Sequence, residues 1–196
     1  MRKGKPNDPE RRTRILRAAL EVIASEGVNA ASYRRIAAQA AVPLGSTTYY
    51  FSDLETLIVS AFETLRDGLE PRYAAPLRDE RTDADIVEAL VAATCGPTAP
   101  TVDDIRLYEE MHRYAARSPQ VADLLRDFQE ESLVILRRSL SDGAALAVDA
   151  LMWGWWSYRS LHDEPLDKGM VRNAYHALVN IPKQALTRSL TRPDNI

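Results

Sequence analysis

The amino-acid sequence predicts an all-α protein, and three observations carry that expectation. Apolar residues recur at spacings of three and four along most of the 196 residues, the period of half-buried helices. No segment alternates apolar and polar side chains with β-branched enrichment, as strands require. Candidate helix caps and stops follow one another along the whole chain. The composition, 45% hydrophobic and 27% charged, is that of an ordinary soluble globular protein. Its single cysteine, Cys95, cannot close an intramolecular disulfide, which excludes a secreted disulfide framework and fits a reducing compartment. The most apolar stretch, Gly143 to Trp156, is broken by Asp149 and is too short to span a membrane. Arg2, Lys3 and Lys5 have no apolar run behind them, so they do not read as a signal peptide, and the expected location is the cytoplasm.

The elements follow in order. A first helix has Asp8 as a cap, Pro9 at its first position and Gly27 as its stop, with Leu16, Ala19, Leu20 and Ile23 on one face. Ser32 caps a short helix from Tyr33 to Ala40, and a second runs from about Pro43 or Gly45 to Phe51, with Ala41 to Leu44 as the turn between them. Ser52 and Glu55 have the spacing of a capping box for a longer helix toward Gly68 or Tyr73. Helices are then expected from Thr82 to Thr94, from Thr101 to Arg117, and from Ser118 and Pro119 to about Leu140. Asp142 opens the apolar helix to His162, and a last one runs over 167–190, where Pro182 should interrupt it.

Charge is unevenly spread along this chain. Residues 1–50 hold nine Lys/Arg against four acids, a surplus of +5, while the remaining 16 bases and 24 acids leave −8 in residues 51–196. A basic head on an acidic body suggests that the head meets a polyanion. The two short helices have the form of a helix-turn-helix, with Ile36, Ala37 and Ala40 inside and Ala37 as the small residue at the crossing. A major groove admits one such helix, N-terminal end toward the bases. Gly45, Ser46, Thr47 and Thr48 lie at that end, and Tyr49 and Tyr50 can reach the backbone. Ser32, Tyr33, Arg34 and Arg35 on the preceding helix add phosphate contacts, which makes these ten residues the candidate DNA-binding set.

The run SYRRIAAQAAVPLGSTTYYFSDLETL, Ser32 to Leu57, resembles the DNA-binding domain of the tetracycline-repressor (TetR) family of bacterial transcription regulators. The matching positions are Ser32, Arg34, Ile36, Ala37, Ala40, Val42, Gly45, Ser46, Tyr50, Phe51, Glu55 and Leu57, joined upstream by Ile15, Leu16, Ala18, Ala19, Leu20 and Gly27. The resemblance implies a three-helix DNA-reading head over residues 1–52. It also implies a larger helical body over 53–196 that binds a small molecule and dimerises. Departures from the family pattern are Ala41 for a turn glycine, Pro43 for a capping serine, Thr47 and Thr48 for a Leu-Tyr pair, and Leu54 for a phosphate-contacting lysine.

In the body, aromatic residues and methionines cluster. Tyr108, Met111, His112, Phe128, Met152, Trp153, Trp156 and Arg159 are the candidate ligand residues, with Glu109 and Arg113 as further polar groups. Most large apolar side chains are buried for packing alone, so these residues could equally be core or interface. By resemblance the last two helices pair with those of a second copy, with Ala144, Ala145, Ala147, Ala150 and Gly154 allowing close approach or fitting their own neighbours. Enzymatic activity is not expected. Glu109-x-x-His112 has half the spacing of a di-iron site, but Arg159 precedes His162 and Asn173 precedes His176 where a second glutamate is needed. No metal or cofactor is expected. The expected protein is a ligand-responsive repressor released from a palindromic operator by a small apolar or aromatic effector. Its expected partners are double-stranded DNA, that effector and a second copy, with no membrane. The alternative is a small-molecule-binding or helical interaction protein that does not bind DNA.

Overall fold

A computed structural model describes residues 10–77 and 82–181. The described residues form helices and turns without a strand, as the sequence predicts. The helices are α1 (Arg11–Glu26), α2 (Tyr33–Gln39), α3 (Leu44–Tyr50), α4 (Leu54–Ala74), α5 (Asp83–Cys95), α6 (Val102–Ala115), α7 (Pro119–Leu136), α8 (Asp142–Leu161) and α9 (Lys168–Val179). They divide into two compact units, one of residues up to 69 with 103–128, the other of 70–102 with 129 onward. The functional boundary expected at residues 52 and 53 lies inside the first.

In the first unit α1 is the platform. Ile15, Leu16, Ala18, Ala19, Val22 and Ile23 are buried along it, whereas Leu20, expected in that stripe, is only half-buried. The true stripe turns toward Ile15 and Val22. Asp8 and Pro9, the expected start, lie outside the described residues, as do Arg2, Lys3 and Lys5; described helix begins after Glu10. Gly27 ends it with φ +83° and ψ 159°, backbone that essentially only glycine adopts. A 3-10 turn, Val28–Ala30, leads to α2, where the Ser32 hydroxyl accepts from the Arg35 N–H at 3.3 Å. Ile36, Ala37 and Ala40 face α1, and α3 rests on α2.

The second short helix begins at Leu44, between the two expected starts, because Pro43 occupies the cap position with φ −58°. The cap of α4 also differs from expectation. The Asp53 carboxylate, not Ser52, accepts from the Thr56 N–H at 2.7 Å, and Ser52 turns its hydroxyl to Asp53 and Thr56. A carboxylate is the stronger acceptor for a helix N-terminus. Glu55 is thereby left to accept from Ser118 at 2.7 Å.

In the second unit α5 packs on α9 and α8. Thr82 and Asp85 form a reciprocal capping box at the start of α5. Val87, Leu90, Ala144, Val148, Trp156, Val171 and Tyr175 are buried. Within this core the Tyr175 hydroxyl lies 2.6 Å from Thr94 Oγ1, which itself donates to the Leu90 carbonyl at 2.8 Å. Ser141 caps α8 and Asp167 caps α9. The seventh helix stops at Leu136 rather than Leu140, because the chain must turn through Arg137–Leu140 before the Ser141 hydroxyl can accept from the Ala144 N–H. The last described helix ends at Val179. Pro182 and the rest of the expected 167–190 helix lie outside the described residues.

Ala41, in the turn between α2 and α3, has φ +52°, the left-handed region. For a residue with a Cβ this costs about 1–2 kcal/mol. Glycine removes that strain but gains freedom in the unfolded chain worth about 0.4–1 kcal/mol. Ala41→Gly is therefore expected to stabilise the protein by about 0.5–1 kcal/mol, read as a higher urea midpoint at unchanged slope.

Candidate nucleic-acid interface

The seven residues of α3 split cleanly between two faces. Ser46 and Thr47 are buried, Thr47 completely, and its hydroxyl donates to the Leu44 carbonyl at 2.7 Å. These two are corrected from outward contacts to packing residues. In a helix so short, residues three and four apart share a face, and Thr47 falls on the same side as the buried Phe51. The outer face carries Leu44, Gly45, Thr48 and Tyr49, with Leu44 49% and Tyr49 73% exposed. Leu44 belongs to the turn on the sequence pattern alone. Only its large exposed apolar surface marks it as part of this face.

The other expected residues are placed as follows. Arg34 is exposed on α2. Arg35 is exposed too, but its guanidinium is paired with Glu26 of α1, Nε to Oε1 being 2.9 Å. Hydrogen bonding by Glu26 raises the pKa of Arg35. Tyr33 donates its hydroxyl to the Phe51 carbonyl at 3.2 Å, tying α2 to the end of α3. Burial, then the nearby Asp53, raises that phenol above its ordinary value. Tyr50 is half-buried, its ring perpendicular to that of Tyr49 with centroids 5.0 Å apart. Ser32 is exposed and occupied as a cap, and Thr48 donates to the Gly45 carbonyl at 3.3 Å. Gly45 has open space where a Cβ would stand. Leu54 is half-buried at the start of α4.

The eight ligand candidates divide four and four between the units. In the first, Tyr108, Met111 and Phe128 are buried, with the Tyr108 and Phe128 rings 5.5 Å apart. His112 is exposed, its ring edge-on to Tyr108 and its Nδ1 3.0 Å from the Tyr108 carbonyl. In the second, Met152 and Trp156 are buried and Trp153 is half-buried, its ring perpendicular to that of Trp156 at 4.7 Å. Arg159 donates to the Thr94 carbonyl at 3.1 Å.

One group was read from the sequence only as a break in an apolar run. Asp149 is buried on α8, accepting from Ser132 at 2.8 Å and from Gln129 at 3.4 Å. Burial raises its carboxyl above the ordinary value, and the two hydrogen bonds only partly offset this. The folded chain thus holds this proton more tightly than the unfolded chain. The stabilisation this confers is complete below about pH 3.9, the ordinary aspartate value, and is lost as pH rises through the raised one. Asp149→Asn should flatten the loss of stability as pH rises above about 4 in urea unfolding, leaving a protein at least as stable at neutral pH.

Similarity to known proteins places the fold. Residues 15–61, α1 to the first turns of α4, match the family model of bacterial regulatory proteins of the tetR family. A transcriptional regulator of Streptomyces coelicolor A3(2), SCO7518, is 32% identical, with a TM-score of 0.77 over 88% of this chain and 100% of that one. The multidrug-binding protein EbrR complexed with imidazole is 30% identical, with a TM-score of 0.70 over 89% of this chain and 98% of that one. The regulator SrpR of Pseudomonas putida is 25% identical over 72% of this chain and 67% of its own length. With the helix-turn-helix in place and the likeness extending through both units, the chain belongs to the TetR family of bacterial transcriptional regulators.

Proposed function

We propose that the chain is a homodimeric repressor that binds a palindromic DNA operator and leaves it when a small apolar or aromatic molecule binds the helical body. On this reading residues 1–52 form the reading head and 53–196 the effector and dimerisation domain. The observation that carries the proposal is the outer face of α3. Leu44, Thr48 and Tyr49 are exposed on α3 and Arg34 is exposed on α2, while Ser46 and Thr47 on the inner face of α3 are buried. A leucine and a threonine methyl suit the thymine methyl in a major groove, and arginine and tyrosine suit phosphates.

Ligand binding is supported by the buried aromatic residues of α6, α7 and α8 and by EbrR, whose complexes include imidazole and malachite green. Pairing through α8 and α9 is supported by Leu146, Leu161 and Met170, each more than two-fifths exposed, and by the exposed Ala150 and Gly154. Ala144 and Ala145 are completely buried among their own chain's side chains, so they leave the proposed interface. An effector acts through its differential affinity for dimers with different head spacings.

Selection of bound duplexes from a random pool decides between this reading and a binding protein without DNA affinity: an enriched palindrome supports the repressor, and no enrichment supports the alternative. On the selected duplex, affinity should fall steeply with salt. Arg34→Ala should reduce the log–log salt slope by about one, as expected for one lost phosphate contact. Gly45→Met should weaken binding by about tenfold or more, within the cost of one lost base contact. Because a Cβ at that position meets open space and methionine is a better helix former than glycine, its thermal midpoint should not fall.

A further inference from the structure

The sixth helix offers two faces to different neighbours within the first unit. Tyr108 and Met111 are buried on one. Glu110, Arg113, Tyr114 and Arg117, three and four residues apart, make the other. Glu110 reaches the connection between α1 and α2, where its Oε2 accepts from the buried Val28 N–H at 2.8 Å. Arg113 donates to Oε1 of the same carboxylate at 3.1 Å. At the end of the helix Arg117 donates to Asn29 Oδ1 at 2.7 Å and lies over the Tyr114 ring, 4.7 Å from its centroid. The buried Ser118 donates to Glu55 of α4 at 2.7 Å. The helix and the turn after it therefore meet the head at residues 28 and 29 and the start of α4 at residue 55.

Of the three, the tie at Val28 is the one that joins a carboxylate of α6 to the backbone of the head. Gly27, with φ +83°, breaks the run of α1 and turns the following amide toward the carboxylate. An ionised acceptor makes the hydrogen bond roughly twice as strong as a neutral one. Burial pushes the Glu110 carboxyl up, but the Val28 N–H and Arg113 hold it below the ordinary glutamate value. It is therefore ionised at neutral pH.

We propose that Glu110 latches α6 directly to the α1–α2 connection, so that a displacement of α6 reaches the DNA-facing helices through Val28 as well as along the covalent route of α4. The regulatory meaning rests on the function proposed above. The latch itself is a property of the folded chain and is tested separately. Tyr108 and Met111 are buried on the other face of the same helix, so a repacking around them would be carried to Glu110 through the helix.

The test uses the full chain and two variants, Glu110→Ala and Glu110→Gln, with Arg106→Ala as a surface control on α6. Hydrogen exchange of the full-length protein reads the latch without DNA. Glu110→Ala should raise exchange across residues 28–31 and α2 by about tenfold or more while the α5 and α9 segments stay unchanged. Glu110→Gln, which keeps an acceptor without the charge, should fall between. On duplexes from the selection, with half-sites moved one base pair closer or further apart, the wild type should reject the shifted spacings. Glu110→Ala should accept them to within about threefold of the preferred one, since a loosened head tolerates changed spacing. Unchanged exchange at 28–31, or an equal loss of affinity at every spacing, overturns the proposal. If selection yields no duplex, the DNA-binding reading falls and exchange alone judges the latch. If Glu110→Ala does not fold, Glu110→Gln is judged on the same two readouts.

Discussion

Two helices of seven residues cannot persist in water unless something longer holds them. Isolated helices of that length are far below the size at which nucleation is repaid by propagation. What holds α2 and α3 is the buried stripe of α1, Ile15, Ala19, Val22 and Ile23, against which Ile36, Ala37 and Ala40 settle. That burial fixes the angle of α2, and α2 in turn fixes α3. The exposed face of α3 owes its position to hydrophobic contact two layers beneath it. Loss of a side chain such as Ile36, wholly buried, would cost about 2–5 kcal/mol by truncation to alanine, a large share of an ordinary domain's stability.

Polar chemistry then adds direction to what packing has made stable. Around the head, each of several side chains ties two elements that are distant in sequence: Tyr33 to Phe51, Arg35 to Glu26, Glu110 to Val28, Ser118 to Glu55. The contacts of Glu110 and Ser118 are part-buried and made by or to a carboxylate, which strengthens a hydrogen bond. The exposed pair Arg35 and Glu26 contributes little to stability, but it occupies a guanidinium that would otherwise be available to an anion. In the other unit Asp149 reverses the usual logic: among the described residues its burial is met by two neutral donors, Ser132 and Gln129, so the acid favours its proton.

Much of the fold was legible because its signals are local. Ser32, Gly27 and the Ser118-Pro119 pair announce helix ends through side-chain oxygen, left-handed backbone and fixed φ, and each sits where the structure starts or stops a helix. The α2–α3 pair could be read from spacing alone. Its facing could not: seven residues, LGSTTYY, give too few turns for periodicity to say that Thr47 points inward and Leu44 outward. Competition between neighbouring caps also escaped, since Ser52 and Asp53 both fit and only geometry selects the aspartate. Contacts such as Glu110 to Val28, 82 residues apart, leave no trace in a single sequence. Nor did the aromatic cluster of the body announce that its members fall into two separate units.

The composition of α3 has a bearing on selectivity. Its seven residues include no arginine, lysine, asparagine or glutamine, the side chains that grip two atoms of one base edge at once. On the proposed reading, each base pair would be told apart by a methyl contact or a single hydroxyl, in small increments. The bendability of the duplex would then carry much of the choice. On that reading, a head with so sparse a vocabulary would tolerate more variation among half-sites than one that grips each base edge at two atoms.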